Sequence, residues 1–343
     1  MPEGGSAVSK FNRTQIYADN RRNKKDAMRI ALSAKRFSLY IRVQKGISYT
    51  IKLMIDLHIH TNASSDGQHS PREIFAMARE KGLRAIAFAD HNSVANVEEG
   101  LRLSREFGIE LIPCMELNTF HNGLDLHLLT FYIQPRHQAL RDWLEFIHQK
   151  KKEQAEKRVI KLNELGFIFD WNDLRKFSAD RIPTGMSFLQ AIFSRKENVN
   201  DPRLRPYIDG DRSRSPYVNF YRDYLRGGKP AFIQMEDIFT TQAIHKVKEL
   251  GGIPILAHPS DTGEKNLRQL VANGLEGLEV YSPYHDAQEQ EAFRIFAQKH
   301  NLLITAGSDF HGKIIKPDVE LGDVGGNHYE LLGQLKKHRK ENR

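Results

Sequence analysis

The chain has 343 residues, with 51 Lys+Arg against 43 Asp+Glu for a formal net charge of +8, and 40% of its residues are hydrophobic. That is enough for one large core or two ordinary ones; it excludes disorder and collagen-like repeats, and the lone Cys114 excludes a disulfide scaffold. The charge is unevenly placed: residues 1–53 carry +9, residues 134–232 carry +7 and the rest sums to −8, so the overall basicity is no argument by itself for a nucleic-acid-binding protein.

Residues 1–53 are Arg-rich and hold none of the 15 histidines. They read as an N-terminal appendage, with an amphipathic helical pattern over 26–47 that leaves a transit segment or a nucleic-acid-binding arm open. No apolar run approaches the roughly 20 residues needed to span a bilayer. With one cysteine, this fits a cytoplasmic protein without a membrane partner.

From Met54 onward short apolar runs alternate with amphipathic stretches, the pattern of βα units. Seven strands are expected, at 53–58, 85–89, 110–115, 126–133, 253–257, 277–280 and 302–306. Ser70, Pro71 and Glu73 spell a capping box that starts a helix, and Lys81-Gly82 ends it. Residues 134–232 interrupt the strand rhythm with a long helical pattern over 138–165 followed by Pro-, Asp- and Arg-rich loops. The expected organisation is therefore 54–133 and 233–343 as two parts of one α/β domain, with 134–232 as a helical insertion.

The chemistry concentrates at strand ends. Asp56-Leu57-His58-Ile59-His60 places two imidazoles on one side of a strand, because residues two apart point the same way. Asp66 follows; His91 closes the second strand, Glu116 the third and His258 the fifth; His127 lies on the fourth; Asp309 and His311 follow the seventh. In a barrel of parallel strands such ends converge on one face. Nine imidazoles and carboxylates gathered there, with no lysine nearby to neutralise them, would be costly unless divalent cations were bound. Mixed His and carboxylate donors suit Zn, Mn or Fe better than Ca or Mg. Cys114 reads as a small buried residue.

The strings DLHIHTNASSDG, FADHN, CMELN, DLHLL, LAHP and TAGSDFHG, in this order from Met54 to about Gly325, resemble the motif set of the PHP (polymerase and histidinol phosphatase) family. They are most similar to its stand-alone bacterial phosphoesterases with a helical insertion, among them nucleotide phosphatases and a 5′ to 3′ exoribonuclease. The resemblance implies a distorted seven-stranded (β/α)7 barrel with the insertion after strand four, and two or three divalent ions (Mn, Zn or Fe). One ion would sit on His58, His60, Glu116 and Asp309. Glu116 would bridge to a second on His127 and His258, and a third would take Asp66, His91 and His311. One residue more than the family's commonest spacing separates the His pair from Asp66. The implied activity is hydrolysis of phosphate esters of nucleotides or short RNA or DNA ends by a metal-bridging hydroxide; a small-metabolite phosphatase of the histidinol-phosphate type and a catalytically silent metal-binding module are the alternatives. Arg181, Lys229 and His285 are the candidate substrate contacts. The family's Arg-x-His segment has no match in the insertion, where the chain reads Asp180-Arg181-Ile182-Pro183.

Overall fold

The computed structural model describes residues 54–342 except 236, together with the backbone of two strands, β1 (Ser38–Arg42) and β2 (Ser48–Lys52), which pair with each other. Of the helical pattern expected over 26–47, only Ser38–Arg42 is described, and it is a strand; the remainder of that expectation lies outside the described residues.

The main body holds eight strands: β3 (Met54–Ile59), β4 (Leu83–Phe88), β5 (Glu110–Pro113), β6 (Glu116–His121), β7 (Leu124–Phe131), β8 (Ile253–Leu256), β9 (Gly277–Tyr281) and β10 (Leu303–Ala306). They form a three-stranded sheet, β3-β4-β5, and a five-stranded sheet, β10-β9-β8-β7-β6. Helices α1 (Pro71–Glu80), α2 (Val97–Phe107), α8 (Thr240–Glu249), α9 (Glu264–Ala272), α10 (Ala287–Lys299) and α11 (Tyr329–Glu341) provide the covering layers. Inside the insertion lie α3 (Gln138–Glu164), α4 (Trp171–Ser178), α5 (Gly185–Phe193), α6 (Arg205–Ile208) and α7 (Pro216–Phe220). The capping box of α1 forms as its sequence spells it, Ser70 and Glu73 exchanging bonds, and the helix ends at Lys81.

The fold is mixed α/β, and the two sheets do not close into a (β/α)7 barrel. The reason is local. Asn122 and Gly123 both adopt positive φ, 48° and 85°, the two-residue turn that joins antiparallel strands. This turn creates β6, a strand the apolar pattern did not announce, and runs β7 antiparallel to both β6 and β8. The remaining pairings, β3/β4, β4/β5, β8/β9 and β9/β10, are parallel. Isolated bridges join the sheets at the functional end: Ile59 to Phe310 and His91 to Glu116.

Helix α3 serves two cores. Leu140, Leu144 and Ile147 pack with Leu117, Leu128 and Leu256 of the sheet, whereas Ala155, Val159 and Leu162 pack with Phe167, Phe188 and Phe220 of the insertion. The insertion therefore has an apolar core of its own, yet its first helix is rooted in the main one.

Candidate metal centre

The alternation of β3 brings the Nε2 atoms of His58 and His60 within 3.2 Å of each other, both rings fully buried. Glu116, the first residue of β6, reaches them with both oxygens, Oε1 lying 3.3 Å from His58 and Oε2 3.2 Å from His60. Asp309, in the loop after β10, brings Oδ1 to 3.4 and 3.2 Å from the same two nitrogens. These four residues form one group able to hold an ion; His60, Asp66, His91 and His311 form a second, and His91, Glu116 and His127 a third. His258 Nε2 stands 3.2 Å from Glu116 Oε1, and its ring is 5.1 Å from that of His127. All nine expected ligands thus meet in one place. The grouping differs from the expected sets: His60 joins Asp66, His91 and His311, and His91, 3.0 Å from Glu116, takes the place expected for His258 beside Glu116 and His127. Asp66 is the loosest member, 3.7 Å from His91 and 3.9 Å from His311.

The donor chemistry fits divalent cations. Asp66 Oδ1, His91 Nδ1, Glu116 Oε2 and Asp309 Oδ1 are buried without a well-directed hydrogen bond, an expensive condition that an ion relieves. Burial opposes ionisation of Glu116 and Asp309. The imidazoles around Glu116, and Lys316 with His58 and His311 around Asp309, outweigh it and hold both carboxyls well below their usual range. Burial likewise disfavours protonated His60, but Asp309 and Glu116 prevail and push it up to about 9. Burial lowers His127 and His311 towards the neutral, ligating form.

Outer contacts aim these rings. His58 Nδ1 lies 3.0 Å from Glu279 Oε1, and the other Glu279 oxygen accepts from the His258 backbone at 3.0 Å. His60 Nδ1 meets Ser64 Oγ at 3.2 Å, and His127 Nε2 meets Asn118 at 2.9 Å. Such partners fix the tautomer and orientation of ligating histidines. Asp90 accepts from Thr61 N and Oγ1, each at 2.7 Å, and from Ser64 Oγ at 3.0 Å, pinning the loop after β3. Asp56 does the same for Ser308 Oγ at 2.6 Å and the Gly322 amide at 2.7 Å. His258 and Asp309 themselves hold positive φ, 27° and 56°, unfavourable for these residue types and typical of functional positions.

The cluster opens into a pocket of about 810 Å³, lined from the insertion by Lys151, Arg158, Tyr221 and Arg226, and from the loops after β9 and β10 by Tyr284 and Lys316. The three expected substrate contacts are not in its lining. Arg181 donates to the carbonyls of Ser178 and Asn62, tying the insertion to the loop after β3. Lys229 is exposed. His285 is buried, its Nδ1 2.8 Å from the Val280 carbonyl and its ring beside Phe293.

Residues 56–186 match the model of the PHP domain. Among curated relatives, the chain is 27% identical over 276 residues to a Haemophilus influenzae protein named 5′-3′ exoribonuclease, covering 75% of this chain and 89% of that one. It is 23% identical over 263 residues to a Chromobacterium violaceum 3′,5′-nucleoside bisphosphate phosphatase, covering 75% and 87%. Among solved structures it superposes on a Bifidobacterium adolescentis chain described as a metal-dependent phosphoesterase, with TM-score 0.64, 25% identity, and coverage of 82% of this chain and 95% of that one.

Three residues of this centre, Lys316, Tyr284 and Glu279, escape sequence reasoning. Lys316 Nζ pairs with Asp309 Oδ2 at 2.5 Å, and Tyr284 donates to the same oxygen at 2.9 Å. The expectation that no lysine neutralises the cluster is thus incorrect: the loop after His311 folds back and delivers one. Asp309 keeps Oδ2 for these partners and turns Oδ1 to the histidines. Glu279 was equally hidden, being a mid-strand carboxylate whose role depends on β9 running beside β8 and β10.

Proposed function

We propose that this chain is a metal-dependent phosphoesterase acting on nucleotides or short RNA or DNA ends, and that it works in the cytoplasm. The observation that carries the reading is the set of buried carboxylate oxygens without hydrogen bonds that face the histidines at the floor of a cation-lined pocket. The proposed ligands are His58, His60, Glu116 and Asp309 for one ion, Glu116 with His127 and His258 for a second, and Asp66, His91 and His311 for a third, the ions being Mn, Zn or Fe. When bound, such ions lower the pKa of water and neutralise the non-bridging oxygens of a phosphate.

The protein's own part is positional. Glu116 faces two groups with two oxygens, so it would serve ions bound in either. Tyr284 and Lys316 fix Asp309, and Lys316 also places a positive charge at the pocket wall, where a phosphate gains from it. Residues 134–232 act as a lid that excludes water, with 54–133 and 233–343 forming the catalytic body and 1–53 remaining an appendage. The relatives' names, an exoribonuclease and a nucleoside bisphosphate phosphatase, support a nucleotide substrate.

The test is metal content together with turnover in His58→Ala and Asp309→Ala, using mononucleotides, nucleoside bisphosphates and 5′-phosphorylated RNA. Each variant is expected to lose bound transition metal and at least about 100-fold in activity. Full activity in either variant, or in protein free of transition metal, refutes the proposal.

A further inference from the structure

The insertion meets the pocket rim through two kinds of contact. Towards the loop after β3 and towards β7 the contacts are partly buried: Ser65 Oγ donates to the Ile182 carbonyl at 2.7 Å, and Tyr221 donates to Asp125 at 3.2 Å. Towards the loops after β8 and β10 they are exposed ion pairs, Arg226 with Asp261 at 2.6 Å and Arg214 with Asp318. The side chains of Arg214 and Asp318 are 78% and 54% exposed, and that of Asp261 is 72% exposed. Exposed pairs of this kind hold by about 0.2–1 kcal/mol each, whereas leaving a buried polar group unpaired costs about 1–3 kcal/mol. The ion-pair side of the rim is therefore the side that opens.

The two pairs fasten the two ends of one segment. Residues 214–226 hold α7 and a π-helical turn, Tyr221–Leu225, a local geometry that recurs at functional sites. The loops that its ends reach follow β8 and β10, the two neighbours of β9 in the sheet. All four charged partners line the pocket, as do Tyr217 and Val218 between them, so the segment is a strap that forms the pocket wall on this side. A cavity of about 810 Å³ is of the size that encloses one small ligand. It is too small for a strand of many nucleotides.

We infer that the Arg214–Asp318 and Arg226–Asp261 pairs are the latches of a gate that sets substrate length. With the strap fastened, a single nucleotide is admitted; a longer strand is accommodated when the latches part. The inference rests on the phosphoesterase reading and deepens it, making Asp261 and Asp318 residues that determine specificity without facing the metal cluster.

The experiment compares metal-loaded wild-type protein with Asp318→Asn, Arg214→Gln, the double variant Asp261→Asn/Asp318→Asn and the exchanged pair Arg214→Asp/Asp318→Arg. For each, kcat/KM is measured with adenosine 3′,5′-bisphosphate and with a 5′-phosphorylated decaadenylate, and hydrogen exchange of the 214–226 amides is followed in the same proteins. Loss of one latch should raise kcat/KM for the decamer by about two- to fivefold, and loss of both by roughly fivefold or more. The bisphosphate should stay within twofold of wild type, and the exchanged pair should restore the wild-type decamer value. Arg214→Gln separates a latch from simple charge. Unfastening raises decamer turnover in it as in Asp318→Asn, whereas attraction of the strand by a freed Arg214 raises it in Asp318→Asn alone, and that result overturns the inference. Decamer turnover within twofold of wild type in the double variant, or an equal rise for both substrates, also overturns it. If the wild type hydrolyses neither compound while the 214–226 amides exchange faster in the double variant and those of β3 do not, the phosphoesterase reading falls and the latches stand. Unchanged exchange in that case overturns the latches as well.

Discussion

At Lys151, burial first and Arg158 second push the ammonium down to about 7 from its ordinary 10.5, with Asp125 opposing. The charged groups that act on it are Arg158 on its own helix and Asp125 from β7. A depressed lysine is charged only below its folded value, so its contribution to folding is fully present above the unfolded value and is lost as pH falls through about 7; the stability of Lys151→Gln relative to wild type, followed by denaturant titration from about pH 7 to 10, checks this. Of the site's residues, His58 and His60 were legible because strand periodicity alone makes them neighbours. Lys316 was not, because six residues of loop separate it from Asp309 and no periodicity governs a loop.

The strand ends are crowded enough that one glycine decides whether they can meet. Gly307, just after β10, sits so close to β3 that a Cβ there would lie 2.3 Å from His58 Cβ and 2.5 Å from Glu279 Oε1. Gly307→Ala should therefore wedge apart the pair that aims His58, with about 1–3 kcal/mol of destabilisation and roughly 10- to 100-fold weaker metal binding. Denaturant titration and metal-competition assays on the same variant measure the two effects, and unchanged values in both would contradict the packing described. Element by element, α1 and α3 were legible because capping residues and length announce them. The hairpin of β6 and β7 was also spelled locally, in Asn122-Gly123, but the apolar run around Leu126 reads equally well as one strand of a parallel series. Its direction depends on the two positive-φ residues of the turn, which hydrophobic periodicity does not register.

For the molecule as a whole, the buried cluster couples metal binding to stability. Ligands that bind only the folded state stabilise it by about 2.7 kcal/mol at a hundredfold excess over Kd, so chelation should lower the thermal midpoint and transition-metal addition restore it. Equal midpoints with and without chelator, in protein whose metal content has been verified, would argue against occupancy of this centre. The sequence by itself determined the α/β character, the separate charge of the insertion and the nine side chains that meet at the centre, because strand alternation and strand ends are one-dimensional features. Only the tertiary structure decided which strands run antiparallel, that Lys316 and Glu279 attend Asp309 and His58, and that Lys151 and Arg158 rather than Arg181 and Lys229 line the pocket. Those outcomes depend on which segments lie side by side after the chain has closed over its apolar cores, and spacing along the chain does not encode that.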